Sequence, residues 1–324
     1  MSAPFIIGFD IGGSRLKSGV VRLDGTVERP TLDDTADRTF SEILEGARRR
    51  GAEHIAACGD TFVGIGVALP GIVEAGFGSR YLPGKVIGIE GFPLCETLED
   101  EFGKPVRCVN DGTAATLAEW QFGAGRGLDD LVGLTIGTGL GSGVIVNGAP
   151  LDSANLGTGT SVGHFTIDTD GVLCLCGNRG CAETLVSADA VAGKLRDALT
   201  RRVPSILADR FAKDPASVDF TTLVESARAG DRVCVEILEH FKRNLGAVIV
   251  SAIHAYNPSA VVLGGGGMAA ADLFLADVQA YVDRYAFVFP KDRTVELRPA
   301  QHEAHSGVLG AAASVLAALD LSNL

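Results

Sequence analysis

The sequence is short of positive charge. It carries 28 Lys and Arg against 40 Asp and Glu, a formal net charge of −12, whereas a protein that grips a phosphate backbone needs a basic face. Nucleic acid is therefore not expected as a partner, and a small-molecule substrate is. Any apolar run near the roughly 18 residues that a membrane span needs is also missing. Met1-Ser2-Ala3-Pro4 lacks the basic start of a signal peptide, so no membrane association and a cytoplasmic location are expected. Disulfide character is absent as well: Cys58, Cys95, Cys108 and Cys234 are scattered in apolar surroundings, as small core residues are in a reducing compartment.

What is present is bulk and glycine. A chain of 324 residues, 46% hydrophobic, can bury a large core and points to about two domains. Its 42 glycines are gathered in clusters that each need a reason. The densest chemistry runs from Gly163 to Glu183, where Cys174, Cys176 and Cys181 form a Cys-x-Cys-x4-Cys cluster turned by Gly177 and Gly180. His164 can supply a fourth ligand. Three sulfurs and a nitrogen suit a closed, tetrahedral, structural zinc; buried free thiols around a glycine turn are the alternative.

Phe5 to Ser14 reads as a buried strand ending in a tight turn, and Leu16 to Val21 as the returning strand. At the bend, Gly12 and Gly13 allow backbone N–H groups to approach an anion. Ser14 adds a hydroxyl, Lys17 a charge, and Asp10 a route to a metal ion. Alone, such a pair of glycines is only a turn. However, Ile7-Gly8-Phe9-Asp10-Ile11-Gly12-Gly13 is matched by Val132-Gly133-Leu134-Thr135-Ile136-Gly137-Thr138, and both continue through glycine into an apolar strand. One hairpin occurs twice, and two related halves suit a polyphosphate held from both sides. Gly137, Thr138 and Gly139 belong to the second turn.

Between the hairpins, helical spacing covers Phe40 to Ala57, with Arg48, Arg49 and Arg50 read as a solvated helix terminus. Phe62 to Leu69 is a buried strand that delivers Pro70-Gly71, a place where α/β proteins put ligand contacts. Val106 to Val109 is a short strand leading to Asn110-Asp111 and a helix from Thr113 to Phe122. The acid there is an N-cap or, with Asn110, part of a pair able to hold and deprotonate a hydroxyl. Later, Ser187 to Ala252 is mostly helical, and His254 reads as a packed side chain. Ala260 to Leu263 is a strand running into Gly264, Gly265, Gly266 and Gly267, which allow a ring or phosphate to lie on backbone. His302 and His305 are read as surface residues before a last helix, Gly307 to Leu319, packed on the first half.

These motifs together resemble the ROK family of bacterial sugar kinases and related repressors, across nearly the whole chain. The resemblance rests on Asp10-Ile-Gly-Gly-Ser, Asn110-Asp111, Gly137-Thr-Gly-Leu-Gly, Gly163-His164 and Cys174-x-Cys-Gly-x-x-Gly-Cys-x-Glu183. It implies an α/β, actin-like ATPase fold of two related ribonuclease-H-like domains closing on ATP and sugar. The domains are expected at 1–115 with 305–324 and at 116–304, the latter holding the zinc site. With nine residues before Asp10, a kinase is expected rather than a repressor, and a non-catalytic sugar-binding regulator is the competing reading. Asp111 would be the general base. Gly71, Asn110, Ser161, His164 and Glu183 would line the sugar, with one His164 nitrogen on zinc and the other toward the sugar. Mg2+ would enter with ATP near Asp10, and a homodimer is expected.

Two departures stand near the sugar. Family hexose kinases read Gly-Glu-x-Gly-His, and this chain has Thr160-Ser161-Val162-Gly163-His164; Tyr81 stands where asparagine is common, before Leu82-Pro83-Gly84. A buried polar group left unmatched costs about 1–3 kcal/mol, so glucose in its usual pose should be used about ten to a hundredfold less well. An amino sugar, an N-acylated hexosamine or a cyclitol would fit these changes, as would glucose with a water beside Ser161.

Overall fold

The computed structural model describes residues 3–59, 61–82, 86–151 and 161–319. Pro83, Gly84 and Thr160, named above, lie outside these. In chain order the elements are β1 (Phe5–Ile11), β2 (Arg15–Arg22), β3 (Val27–Asp34), α1 (Phe40–Cys58), β4 (Phe62–Leu69), β5 (Ile72–Glu74), β6 (Gly78–Tyr81), α2 (Leu94–Phe102), β7 (Val106–Asn110) and α3 (Asp111–Phe122). There follow β8 (Leu131–Ile136), β9 (Leu140–Val146), β10 (Ala149–Pro150), α4 (Glu183–Val186), α5 (Ala188–Thr200), α6 (Ala208–Lys213), α7 (Phe220–Arg228) and α8 (Arg232–Tyr256). The last are β11 (Ala260–Gly264), α9 (Ala271–Tyr285), β12 (Glu296–Pro299) and α10 (Ser306–Leu319).

The chain divides into two compact units, Met1–Asp129 with Gly143–Thr160 and Ala300–Leu324, and Asp130–Ser142 with Ser161–Pro299. The first is built on the sheet β3-β2-β1-β4-β7. β1 and β2 pair antiparallel and put Asp10 opposite Lys17, while β4 and β7 run parallel. Continuous apolar runs such as Phe-Ile-Ile-Gly-Phe in β1 mark strands covered on both faces. One face receives α1, whose Phe40, Ile43, Leu44 and Ala47 are buried. That helix starts at a capping box in which Thr39 and Glu42 satisfy each other's backbone donors. The other face receives α10, alanine-rich and buried from Gly307 to Leu316. It lies so close that a Cβ on Gly66 of β4 would overlap the Ala311 carbonyl.

The second sheet has the order β10-β9-β8-β11-β12, with β11 parallel to β8 and β12. The repeated hairpin in the sequence is thus the visible part of a repeated sheet: β1 and β8 hold the same place, as do β4 and β11. The unit boundary cuts β9 between Ser142 and Gly143. Helices α5, α7, α8 and α9 pack in the second unit through Leu195, Leu223, Phe241 and Phe274, with the Phe241 and Phe274 rings edge to face at 5.3 Å.

Several local expectations need correction. The arginine run is not a helix terminus, because α1 continues to Cys58; Arg50 forks onto Asp33 of β3 at 2.7 and 2.8 Å. His254 is exposed rather than packed, and its Nε2 accepts the Phe287 N–H at 2.8 Å. His302 is half-buried, its backbone N–H bonded to the buried Glu119 carboxylate at 2.7 Å. Cys95 and Cys108 are not scattered, their sulfurs being 3.3 Å apart. Among the described residues no helix is long and apolar enough to cross a membrane.

Candidate active site

In the first unit, the turn from β1 to β2 is closed by the Gly12 N–H on the Arg15 carbonyl at 2.9 Å, leaving Gly13 and Ser14 exposed at the tip. Asp10 and Lys17, opposite each other in the ladder, form an ion pair of 3.4 Å. Burial pushes the Asp10 carboxyl up from its usual range, and Lys17 opposes this only in part. A further cation beside Asp10 would favour the charged carboxylate and offset the cost of its burial. Gly307 at the head of α10 lies against this carboxylate, and a Cβ there would collide with it. Nothing in the local pattern at Gly307 announces that contact.

A second group gathers where β4 and β7 end side by side. Gly71 has φ +85°, and a Cβ there would overlap the Tyr81 carbonyl, so glycine is required on both counts. Asn110 Nδ2 donates to the Gly71 carbonyl at 3.0 Å and to Asp111 Oδ1 at 3.1 Å. Asn110, not Asp111, is the N-cap of α3: its Oδ1 accepts from the N–H groups of Gly112 and Thr113. The helix therefore starts at Asp111, two residues ahead of the expected Thr113. Asp111 is exposed, with Oδ1 also accepting the Gly112 N–H at 2.9 Å.

In the second unit, the turn of the other hairpin is closed by the Gly137 N–H on the Gly139 carbonyl at 3.0 Å, with Thr138 exposed. Behind it, Gly265 and Gly267 pack on Ile136 at the end of β8, and Gly266 faces open space. Glu183, the first residue of α4, lies where the sequence did not suggest. Its Oε2 accepts the Leu140 N–H at 3.0 Å, tying the cysteine-rich segment to the hairpin. The Val162 N–H donates to the buried Ser142 Oγ at 2.9 Å, and the His164 N–H to the Ser161 carbonyl at 3.0 Å. Ser142 is a residue that sequence reasoning missed.

The four expected metal ligands do converge. One donor atom each from His164, Cys174, Cys176 and Cys181 lies within 4.8 Å of the others. A tetrahedral ion with Zn–S bonds of about 2.3 Å spaces its donors about 3.8 Å apart. Cys176 Sγ and Cys181 Sγ are 3.6 Å apart, and Cys174 Sγ and His164 Nδ1 are 3.8 Å apart. Donor set and spacing fit zinc, with Nδ1 toward the sulfurs and Nε2 left for another partner. Burial first, then Cys176 and Cys174, push the Cys181 thiol up to about 12.

The ROK family model matches residues 6–318. The glucokinase of Thermotoga maritima is 33% identical over 315 residues, covering 96% of each chain. This chain belongs to the ROK family. ROK relatives differ in acceptor: the N-acetylmannosamine kinase of Haemophilus influenzae is 26% identical over 307 residues, covering 94% of this chain and 93% of the relative. The crystal structure of a ROK glucokinase from Streptomyces griseus, in complex with glucose and AMPPNP, superposes with a TM-score of 0.77 at 27% identity. It covers 95% of this chain and 98% of that one. The fold is the actin-like ATPase fold of the ROK sugar kinases, as the resemblance implied. The match to residues 6–318 takes in both hairpins, the Asn110-Asp111 junction and the cysteine cluster.

Proposed function

We propose that this chain is an ATP-dependent kinase that phosphorylates a hydroxyl of a hexose or hexose-like sugar. The observation that carries the reading is the division of work at the β7–α3 junction. Asn110 is the N-cap of α3, and the exposed Asp111, whose Oδ1 shares the Gly112 N–H, presents its carboxylate at the helix start. Asp111 takes the proton of the acceptor hydroxyl while that oxygen bonds to the γ-phosphorus and the bond to the bridging oxygen of ADP breaks. Gly71, Asn110, Ser161, His164 and Glu183 hold the remaining sugar hydroxyls. Gly12, Gly13, Ser14 and Lys17, with Gly137, Thr138 and Gly139, hold the phosphates; Gly264, Gly265 and Gly266 hold the nucleoside end. Phosphoryl transfer needs mostly positioning and charge stabilisation, which glycine turns and one acid provide. Mg2+ bound with ATP beside Asp10 would supply charge neutralisation. Zinc on His164, Cys174, Cys176 and Cys181 would fix the histidine ring, so that a structural ion orients a sugar contact.

The named relatives support glucose or N-acetylmannosamine as acceptor types. Ser161, short and uncharged where hexose kinases of the family carry glutamate, favours an acceptor other than plain glucose. The test is ADP release from ATP with Mg2+ across glucose, mannose, allose, glucosamine, N-acetylmannosamine, 3-amino-3-deoxyglucose and cyclitols. One fast acceptor supports the kinase. Tight sugar binding without ADP release across the panel would favour a regulator and reject the reading.

A further inference from the structure

Two cysteines outside the metal cluster meet inside the first unit. Cys95, the second residue of α2, and Cys108, the middle of β7, place their sulfurs 3.3 Å apart. Both are buried, at 1% and 2% exposure. The carbonyl of Ala75, directly after β5, accepts the Cys108 N–H at 2.9 Å and the Cys95 thiol at 3.4 Å. The pair is therefore bracketed by the two segments that carry the acceptor end of the site. Ala75 lies four residues past Gly71, and Cys108 lies two residues before Asn110, whose amide bonds the Gly71 carbonyl and the Asp111 carboxylate.

We propose that Cys95 and Cys108 are a reversible dithiol–disulfide pair whose oxidation weakens acceptor use at the Gly71–Asn110–Asp111 group. A disulfide bond of about 2.05 Å draws the sulfurs together by about 1.3 Å. The Cys108 N–H is bonded to the Ala75 carbonyl at 2.9 Å and the Cys95 N–H to the Phe77 carbonyl at 3.0 Å, so the contraction is passed to β7 and to the segment that follows the Gly71 turn. The oxidant is a peroxide. The Cys95 sulfur gives up its proton and attacks one peroxide oxygen, the O–O bond breaks, and the departing hydroxide takes that proton to leave as water, with a sulfenic acid on Cys95. The Cys108 sulfur then attacks Cys95 Sγ, the S–S bond forms, and the hydroxide leaves with the Cys108 proton as a second water. Two thiols lose two electrons and two protons, and the peroxide takes both. A dithiol reductant reverses the step by exchange. Cys95 is taken as the first sulfur to attack because its neighbour Cys108 holds the Cys95 thiol below its ordinary value.

The effect on acceptor use rests on the kinase reading, whereas the disulfide itself does not. The experiment oxidises the full zinc-loaded protein with a low excess of hydrogen peroxide and then splits it. One portion is alkylated, digested and mapped by mass spectrometry; the other is assayed for sugar and ATP kinetics before and after dithiothreitol. Expected are an intramolecular 95–108 disulfide and a KM for the acceptor raised at least threefold with little change in KM for ATP. Dithiothreitol should reverse both. Cys95→Ser, with Cys108→Ala as a second variant, should keep its acceptor KM through the same treatment, which separates this pair from oxidation at Cys174, Cys176 or Cys181. Free Cys95 and Cys108 thiols after oxidation would overturn the pair. An unchanged acceptor KM with the disulfide formed, or equal losses in wild type and Cys95→Ser, would overturn the coupling. If the reduced protein releases no ADP with any sugar, the kinase reading fails instead. Hydrogen exchange over residues 106–113 then decides, with a change on disulfide formation expected and none overturning the coupling.

Discussion

Asn110 donates from Nδ2 to Asp111 Oδ1 at 3.1 Å and accepts the Gly112 and Thr113 N–H groups on its own Oδ1 at 2.9 and 3.2 Å. Adjacent residues thereby divide two tasks that one acid at a helix start would have to combine. Asp111→Asn should cut turnover by about a hundred- to ten-thousandfold, the range of general base catalysis, with ATP affinity and melting temperature nearly unchanged. Asn110→Ala should lower turnover less and also cost about 1 kcal/mol of stability through the lost cap. ADP release and thermal melts read both. Retained turnover in Asp111→Asn would reject the assigned base.

The legible part of this architecture was whatever repeats or clusters in the chain. Ile-Gly-Phe-Asp-Ile-Gly-Gly and its partner at 132–138 announced two hairpins, and the structure places them at matching positions in two sheets of matching order. Cys174, Cys176, Cys181 and His164 were legible because ligand spacing within one short loop constrains geometry directly. What stayed hidden depends on long-range packing. Glu183 meets Leu140 across 43 positions, Gly307 meets Asp10 across most of the chain, and Cys95 meets Cys108 only because α2 and β7 lie together. The capping role of Asn110 was hidden for another reason: asparagine and aspartate cap equally well, so the pair alone does not say which one does.

Zinc content should be about one ion per chain after purification without chelator, read by elemental analysis. Cys176→Ala leaves three donors around an ion that prefers four. It should lower zinc content, melting temperature and sugar use together, because His164 loses the ion that orients it. ATP affinity should change far less. A metal-free wild-type protein with full sugar use would reject the site.

Gly66→Ala tests the close seat of α10. The added methyl would meet the Ala311 carbonyl and the following Ala312 nitrogen, both backbone atoms of a buried helix. Rotamer changes cannot relieve such an overlap, so the helix must lift. A loss of about 3 kcal/mol is expected, the upper end of overpacking costs, measured as the urea midpoint at constant slope. A shift under about 0.5 kcal/mol would show that α10 is free to slide.

Stability should fall on mild acidification because of His54. Its ring is buried in α1 with Nε2 2.9 Å from Ser18 Oγ, and Ser18 is itself 2.6 Å from Thr31 Oγ1. Burial, and then the charges of Arg29 and Arg50, hold its pKa below the ordinary value. Below about pH 6.5 the unfolded chain takes up a proton that the folded ring resists. The unfolded state then binds more protons, so this stability is present above about pH 6.5 and lost as pH falls toward the folded-state value. Urea melts at pH 7.5 and 5.5 should separate, and His54→Gln should reduce the separation. An equal separation in the variant would assign the effect to other groups.

Ser161→Glu asks whether this position sets the acceptor. Ser161 immediately precedes the short helical turn at Val162–His164, and its carbonyl accepts the His164 N–H at 3.0 Å. Its side chain thus starts three residues from the proposed sugar-contacting histidine. Glutamate there recreates the Gly-Glu-x-Gly-His pattern in all but its first glycine and supplies a charged acceptor for a ring hydroxyl. A matched hydrogen bond to a charged group is worth about 1.5–3 kcal/mol, so kcat/KM for glucose should rise at least tenfold while that for the preferred acceptor falls. The substitution leaves the backbone bond to His164 and the zinc ligands untouched, so a general loss of fold would show separately in the melting temperature. If glucose is already the best substrate of the unaltered chain and Ser161→Glu changes nothing, the position is a tolerated variation, and acceptor choice must lie elsewhere, with Tyr81 beside the Gly71 turn as the next residue to change.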